Sequence, residues 1–272
     1  MAVRSRRIAR LPKAPLVEVV FELHWRQQAP SPLPGSDPGL LPLLENFTSA
    51  IKKVGFGFAR DMSPAFQTGA HSVVRRLYKE ADAPFPIMQV GPGIFATNES
   101  SLYEWSAYKK QINLGLQTLF ASYPKLGFFR MEPIVLELRY INVFDGSLLG
   151  SATMFDFVNR GTSLKIQLPK MLTDRKLFGA DAQGRVAFVC ELRGWKGSQF
   201  ALDLGSVESP NQGAVVRLET KVRSEGDGVP PLKNARSFVN KLDEWLEFAH
   251  GITSPFFREF VLPEVMKKFQ ES

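Results

Sequence analysis

The chain has 272 residues, 44% of them hydrophobic and 22% charged, with a formal net charge of +7, one cysteine and three histidines. That composition excludes a disordered chain and a disulfide-stapled scaffold, and no apolar run approaches the roughly 20 residues that a membrane-spanning helix needs. The charge is concentrated: Arg4, Arg6, Arg7, Arg10 and Lys13 are five of 34 basic residues and precede the first acid, Glu18, which leaves a nearly neutral body.

Residues 1–13 therefore read as a basic flexible arm, able to add phosphate contacts through Arg4, Arg6, Arg7 and Arg10 but more commonly a solvated tail. No apolar core follows these basic residues as it would in a signal peptide, so a cytoplasmic protein is expected. From Pro15 to Arg26 the residues alternate, Val17, Val19, Phe21, Leu23 and Trp25 on one face and Glu18, Val20, Glu22 and His24 on the other, which predicts a half-buried strand. After a Pro/Ser/Gly loop from Ala29 to Gly39, the spacing of Leu40, Leu43, Leu44, Phe47, Ile51 and Val54 predicts a helix ending at Gly55. Strands are expected over Ser72 to Lys79 and Ile87 to Thr97, the second with a Gly91-Pro92-Gly93 kink that suggests a bulge or edge position, then a helix from Leu102 to Tyr123.

Arg130 to Asp145 reads as one long strand. Residues 14–145 then run strand, helix, strand, strand, helix, strand, the order of a split βαβ or ferredoxin-like half. Beyond it, Thr153 to Val158, Leu164 to Leu168, Val186 to Arg193, Gln199 to Gly205 and Ala214 to Arg223 suggest an antiparallel meander, with Gly194-Trp195-Lys196-Gly197 as a hairpin turn. Phe238, Leu242, Trp245, Leu246 and Ala249 mark a helix, Ser254-Pro255 looks like the start of another, and Pro263 restarts or kinks it. The expectation is an α+β protein, a ferredoxin-like N-terminal half with residues 146–272 forming a β-meander capped by C-terminal helices, packed as one unit. Cys190 falls in the alternation Val186, Phe188, Cys190, Leu192 and should pack as a small apolar residue.

Several segments taken together resemble a known family. Lys13-Ala14-Pro15-Leu16-Val17-Glu18-Val19-Val20, Tyr103-Glu104-Trp105, Arg139-Tyr140-Ile141-Asn142-Val143 and Leu242-Asp243-Glu244 with Phe257-Arg258 resemble a sporadically distributed, uncharacterised family of prokaryotic proteins of about this length. The resemblance spans nearly the whole chain and implies no assigned activity. A patchy distribution of this kind resembles that of mobile or defence-associated genes, which implies a role in phage defence or toxin neutralisation.

The motifs of phosphate cradling, hydride transfer and standard zinc sites are missing: the sequence has no P-loop, no G-x-G-x-x-G, no H-E-x-x-H and no paired C-x-x-C. Glu247-x-x-His250 lacks the second Glu-x-x-His that a carboxylate-bridged metal site needs, and reads as a helix-surface pair. No catalytic residue, metal or cofactor is therefore expected. Strand geometry offers a better candidate, because neighbouring first and last strands would put Glu18, Glu22 and His24 on one face with Glu137 and Arg139. Such a cluster is either a groove for a ligand or partner or an ion-pair seal against the second half. Tyr140 and Asn142 should face the helices as structural residues, with Trp105. Trp195 and the Phe256-Phe257 pair are candidate partner contacts, with packing under a neighbouring loop as the alternative.

The function expected is that of a non-enzymatic binding protein, a sensor, adaptor or neutralising subunit whose partner is another protein encoded nearby or a second copy of the chain. Two alternatives stand beside it: a nucleic-acid-binding accessory using the basic arm, and an enzyme with an unrecognised site on the N-terminal sheet face.

Overall fold

A computed structural model describes residues 15–27, 39–62, 74–100, 103–124, 131–145, 154–167, 184–209 and 213–269. The basic arm with Arg4, Arg6, Arg7 and Arg10 lies outside them. The alternating segment becomes β1 (Leu16–Gln27), and the amphipathic one after it becomes α1 (Leu40–Lys52), buried through Leu40, Leu43, Leu44, Phe47 and Ile51. Gly55, at φ 101°, turns the chain after it, a backbone region that favours glycine. Four strands follow, β2 (Phe58–Met62), β3 (Val74–Tyr78), β4 (Ile87–Gly91) and β5 (Ile94–Glu99), and then α2 (Trp105–Ser122) and β6 (Met131–Phe144). The remainder is α3 (Met154–Gly161), β7 (Arg185–Glu191), β8 (Ser198–Ser209), β9 (Gly213–Glu225), α4 (Ala235–Phe260) and α5 (Pro263–Lys268).

The nine strands of the described residues form one antiparallel sheet in the order β2-β3-β4-β5-β1-β6-β9-β8-β7, so the protein is α+β. At its centre, β4-β5-β1-β6, β1 lies between β5 and β6 and is antiparallel to both. The sheet runs on past both sides of that centre, however: β6 pairs with β9 over Val135 to Phe144, so strands from both halves of the chain belong to one sheet. Helices α1, α2 and α4 cover one face. Phe21 of β1 lies against Phe95 of β5 and Trp245 of α4, and Phe47 of α1 meets Phe95, all in edge or tilted ring contacts. Trp245 is fully buried and its indole N–H donates to Ser224 Oγ at 2.7 Å, which satisfies its polar atom inside an apolar core. Shorter α3 and α5 lie on the same side, through Phe157 and Phe269 against Phe144. Among the described residues no helix packs on the other face.

Several expectations are corrected. Ile87 to Thr97 is a hairpin, not a bulged strand: Pro92 and Gly93 turn the chain, Gly93 at φ 67°, and its carbonyl accepts from the Trp25 N–H at 3.0 Å. Of Thr153 to Val158, the described part, 154–158, is not a strand, because Met154, Phe157, Val158 and Gly161 are buried at helical spacing and form α3. Of Leu164 to Leu168, the described part, 164–167, is not a strand either. Helix α4 passes through Ser254-Pro255 without stopping. Proline there removes one backbone donor, and Gly251, whose carbonyl loses it, is solvent-exposed. Finally, β7 is an edge strand: Val186, Cys190 and Leu192 pack half-buried against the core as expected, but Phe188, which should have packed beside them, is exposed.

Candidate functional site

The sheet face on which no described helix packs carries the polar residues of the central strands. Register places Val20 opposite Arg139 and Glu22 opposite Glu137, so Glu18, Glu22 and His24 of β1 share that face with Glu137 and Arg139 of β6, as the alternation predicts. Arg139 reaches Glu22 at 2.9 Å, Glu137 at 3.7 Å and Glu219 of β9 at 4.0 Å, and Arg223 holds the other oxygen of Glu137 at 3.2 Å. His24 bonds Glu22 at 2.9 Å; that bond and the Arg139 charge hold the Glu22 carboxyl below the usual range against the opposing effect of its burial. The side chain of Glu137 is 4% exposed. This row is an ion-pair ladder closed on itself, which favours the sealing role over a ligand site for Glu22, His24, Glu137 and Arg139.

Glu18 belongs to a different row. Asn98 donates to its Oε1 at 2.5 Å, Gln89 donates to Asn98 Oδ1 at 2.8 Å, and Arg76 Nε donates to Gln89 Oε1 at 2.8 Å. A guanidinium only donates and a carboxylate only accepts, so the two ends set the orientation of both amides between them. This diagonal row floors a groove of about 500 Å³ whose walls include Arg60, Tyr78, Asp82, Pro84 and Phe85. Arg60 opposes Arg76 directly across β2 and β3, lies 5.7 Å over the Tyr78 ring and donates to the Ala81 carbonyl at 3.0 Å. Five other arginines of the sheet, Arg75, Arg139, Arg185, Arg217 and Arg223, each have a carboxylate within 4.0 Å. Arg60 and Arg76 have none among the described residues.

A second cluster lies on the helix side. Tyr140 does face the helices: its hydroxyl is 2.8 Å from the Tyr103 hydroxyl and 2.8 Å from Nδ1 of His250. Trp105 stacks on the His250 ring at 4.1 Å and donates to Glu247 at 3.3 Å, while Lys109 pairs with Glu247 at 2.6 Å and Asn113 donates to Asp243 at 2.7 Å. Glu104 caps α2 by accepting from the N–H groups of Ser106 and Ala107. The segments Tyr103-Glu104-Trp105, Arg139-Tyr140 and Leu242-Asp243-Glu244 thus meet where α2, β6 and α4 join. Burial pushes the tyrosine hydroxyls up and the imidazole of His250 down to about 4. A neutral ring protonated at Nε2 lets Tyr140 donate to Nδ1 and Tyr103 to Tyr140. Glu247-x-x-His250 is therefore no simple surface pair: Glu247 stays outside with Lys109 while His250 turns inward. Asn142 is buried on the same side of β6.

Trp195 lies in the β7–β8 hairpin turn, but its indole N–H donates to the Gly228 carbonyl at 2.7 Å and its ring packs on Phe248 at 5.8 Å. It is a half-buried clamp on the 226–231 segment rather than an exposed anchor. Phe256 and Phe257 likewise turn to Phe200 and Phe269. Trp195→Ala is accordingly expected to lower the unfolding free energy by about 2 kcal/mol, through lost ring burial and an unpaired carbonyl. An unchanged urea midpoint would return Trp195 to the surface.

Among the described residues, no group of three or more His, Cys, Asp or Glu is placed to hold a metal ion, and no helix is long and apolar enough to cross a membrane. Comparison of the chain with protein-family models, with curated proteins and with solved structures finds no match.

Proposed function

We propose that this chain is a non-enzymatic binding protein that receives another protein in the groove on the sheet face opposite its helices. The observation that carries this reading is a separation. The histidine with a displaced pKa is stacked by Trp105 and bonded by Tyr140 on the helix side, while the groove on the opposite face is lined by guanidinium, amide, carboxylate and aromatic groups. Acid–base chemistry needs its proton-transfer group within reach of the bound molecule, and His250 lies across the sheet from the groove, while the carboxylate on the groove floor, Glu18, is engaged by Asn98. A groove of about 500 Å³ floored by pre-oriented amides suits recognition, because its polar groups are already held in place before a ligand arrives. The family resemblance adds the setting of this proposal, a sensor, adaptor or neutralising subunit in a defence or toxin-linked system.

Two measurements test it. The purified chain should turn over no nucleotide, peptide or nucleic-acid substrate, and when co-expressed with the product of an adjoining gene it should elute as a defined complex by light scattering. Turnover by the isolated chain, abolished by substituting Glu18, Glu22 or His24, would overturn the proposal in favour of an enzyme working on the same sheet face.

A further inference from the structure

Two guanidiniums facing each other across neighbouring strands repel, and sheets ordinarily avoid like charges in directly opposed positions. Arg60 and Arg76 occupy such a position. Arg75, Arg139, Arg185, Arg217 and Arg223 answer their charge with a carboxylate, yet the contacts of this pair are neutral: the Ala81 carbonyl and Tyr78 ring for Arg60, and the Gln89 amide for Arg76. Both side chains line the groove. We infer that the Arg60–Arg76 pair is the anchor of a binding site for an acidic peptide segment, whose carboxylate supplies the close counter-charge that neither guanidinium has among the described residues.

The rest of the groove says which anion fits. Gln89 and Asn98 continue the floor from Arg76 to Glu18, so amides lie beside the anchor and a carboxylate at the far end. An extended peptide matches this order, with a side-chain carboxylate on the guanidiniums, backbone groups over the amides, and a backbone or side-chain donor toward Glu18. A nucleic-acid strand matches it poorly, because phosphates recur along its length and would run against Glu18 and against Asp82 on the rim. Tyr78, Pro84 and Phe85 give the apolar wall against which the peptide's own side chains can pack. This inference rests on the binding reading above and specifies the chemistry of the partner.

The test uses the full chain and three probes: a fluorescein-labelled eight-residue peptide of alternating Glu and Ser, the same peptide with Lys in place of Glu, and a labelled single-stranded oligonucleotide. Fluorescence anisotropy should show the Glu peptide binding at least tenfold more tightly than either other probe. Arg60→Gln with Arg76→Gln should weaken that binding at least tenfold. Arg60→Gln alone, at an exposed position on an edge strand, should weaken it several-fold with an unfolding midpoint no lower than that of the parent. No binding of the Glu peptide, or equal binding by the double variant, overturns the inference, and tighter binding of the oligonucleotide lost in the double variant reassigns the groove to phosphate. If the complex with a natural partner forms and is indifferent to both substitutions, the inference falls while the binding function stands; turnover by the chain sinks the function whatever the peptide does.

Discussion

Arg139→Ala is expected to lower the unfolding free energy by about 3 to 5 kcal/mol, the cost of removing one partner from a buried ion pair. Its guanidinium spans two strands, touching Glu22 at 2.9 Å, Glu137 at 3.7 Å and Glu219 at 4.0 Å. Glu137 is the decisive neighbour. With 4% of its side chain exposed, it cannot recover from water the solvation it gave up on folding, and without Arg139 it keeps only Arg223. The Nε of Arg139 is itself buried without a hydrogen-bond partner, so the pair is held more by charge than by geometry. Arg223, whose side chain is 41% exposed, supplies the contrast: Arg223→Ala should cost about 1 kcal/mol, the range of partly solvated pairs. Replacing both members, Arg139→Met with Glu137→Leu, should restore most of the loss, because no stranded charge remains. Urea unfolding at constant slope measures all three; a loss under about 1 kcal/mol for Arg139→Ala would mean that the ladder is a solvated surface.

That ladder was legible in the sequence because strand alternation assigns faces without knowledge of the rest of the fold. Once β1 and β6 are neighbours, Glu18, Glu22, His24, Glu137 and Arg139 must share a side. The groove was not legible for the converse reason. Strand β2, Phe58 to Met62, is exposed at every position, so it leaves no period of burial to read, and the register that sets Arg60 against Arg76 depends on it. His250 fell between the two cases. It stands four residues after Leu246 and three before Thr253, both buried, so the helical period marked it as the edge of the inward stripe. Its pairing with Glu247 in sequence drew attention to the wrong side of α4. The missed continuation through Pro255 has a similar cause: a local Ser-Pro start signal is weaker than a helix face already anchored by Trp245 and Ala249 before it and Phe260 beyond it.

The inward turn of His250 has a measurable consequence. Its pKa is about 4 in the folded chain because burial disfavours the charged ring, against 6.5 when exposed. The unfolded chain therefore binds the proton first as pH falls, and stability is lost on acidification: full above 6.5, falling through the interval down to 4, and level below it. Linkage puts the loss at about 2 kcal/mol by pH 5 and about 3 kcal/mol at its limit. Carboxyls that the fold holds down, such as Glu22, Asp61 and Asp203, start from 4.5 or 3.8 and act only below that, so the interval from 6.5 to 4.5 isolates the imidazole from them. His250→Gln keeps a polar side chain beside Tyr140 but cannot take up the proton. The variant should start less stable at pH 7.5, since Trp105 loses its stacking partner, and its urea midpoint should then stay flat between pH 7 and 5 while that of the parent falls. Parallel curves over that interval would show that the ring is open to water, and would dissolve the Tyr103–Tyr140–His250 cluster as the joint between α2, β6 and α4.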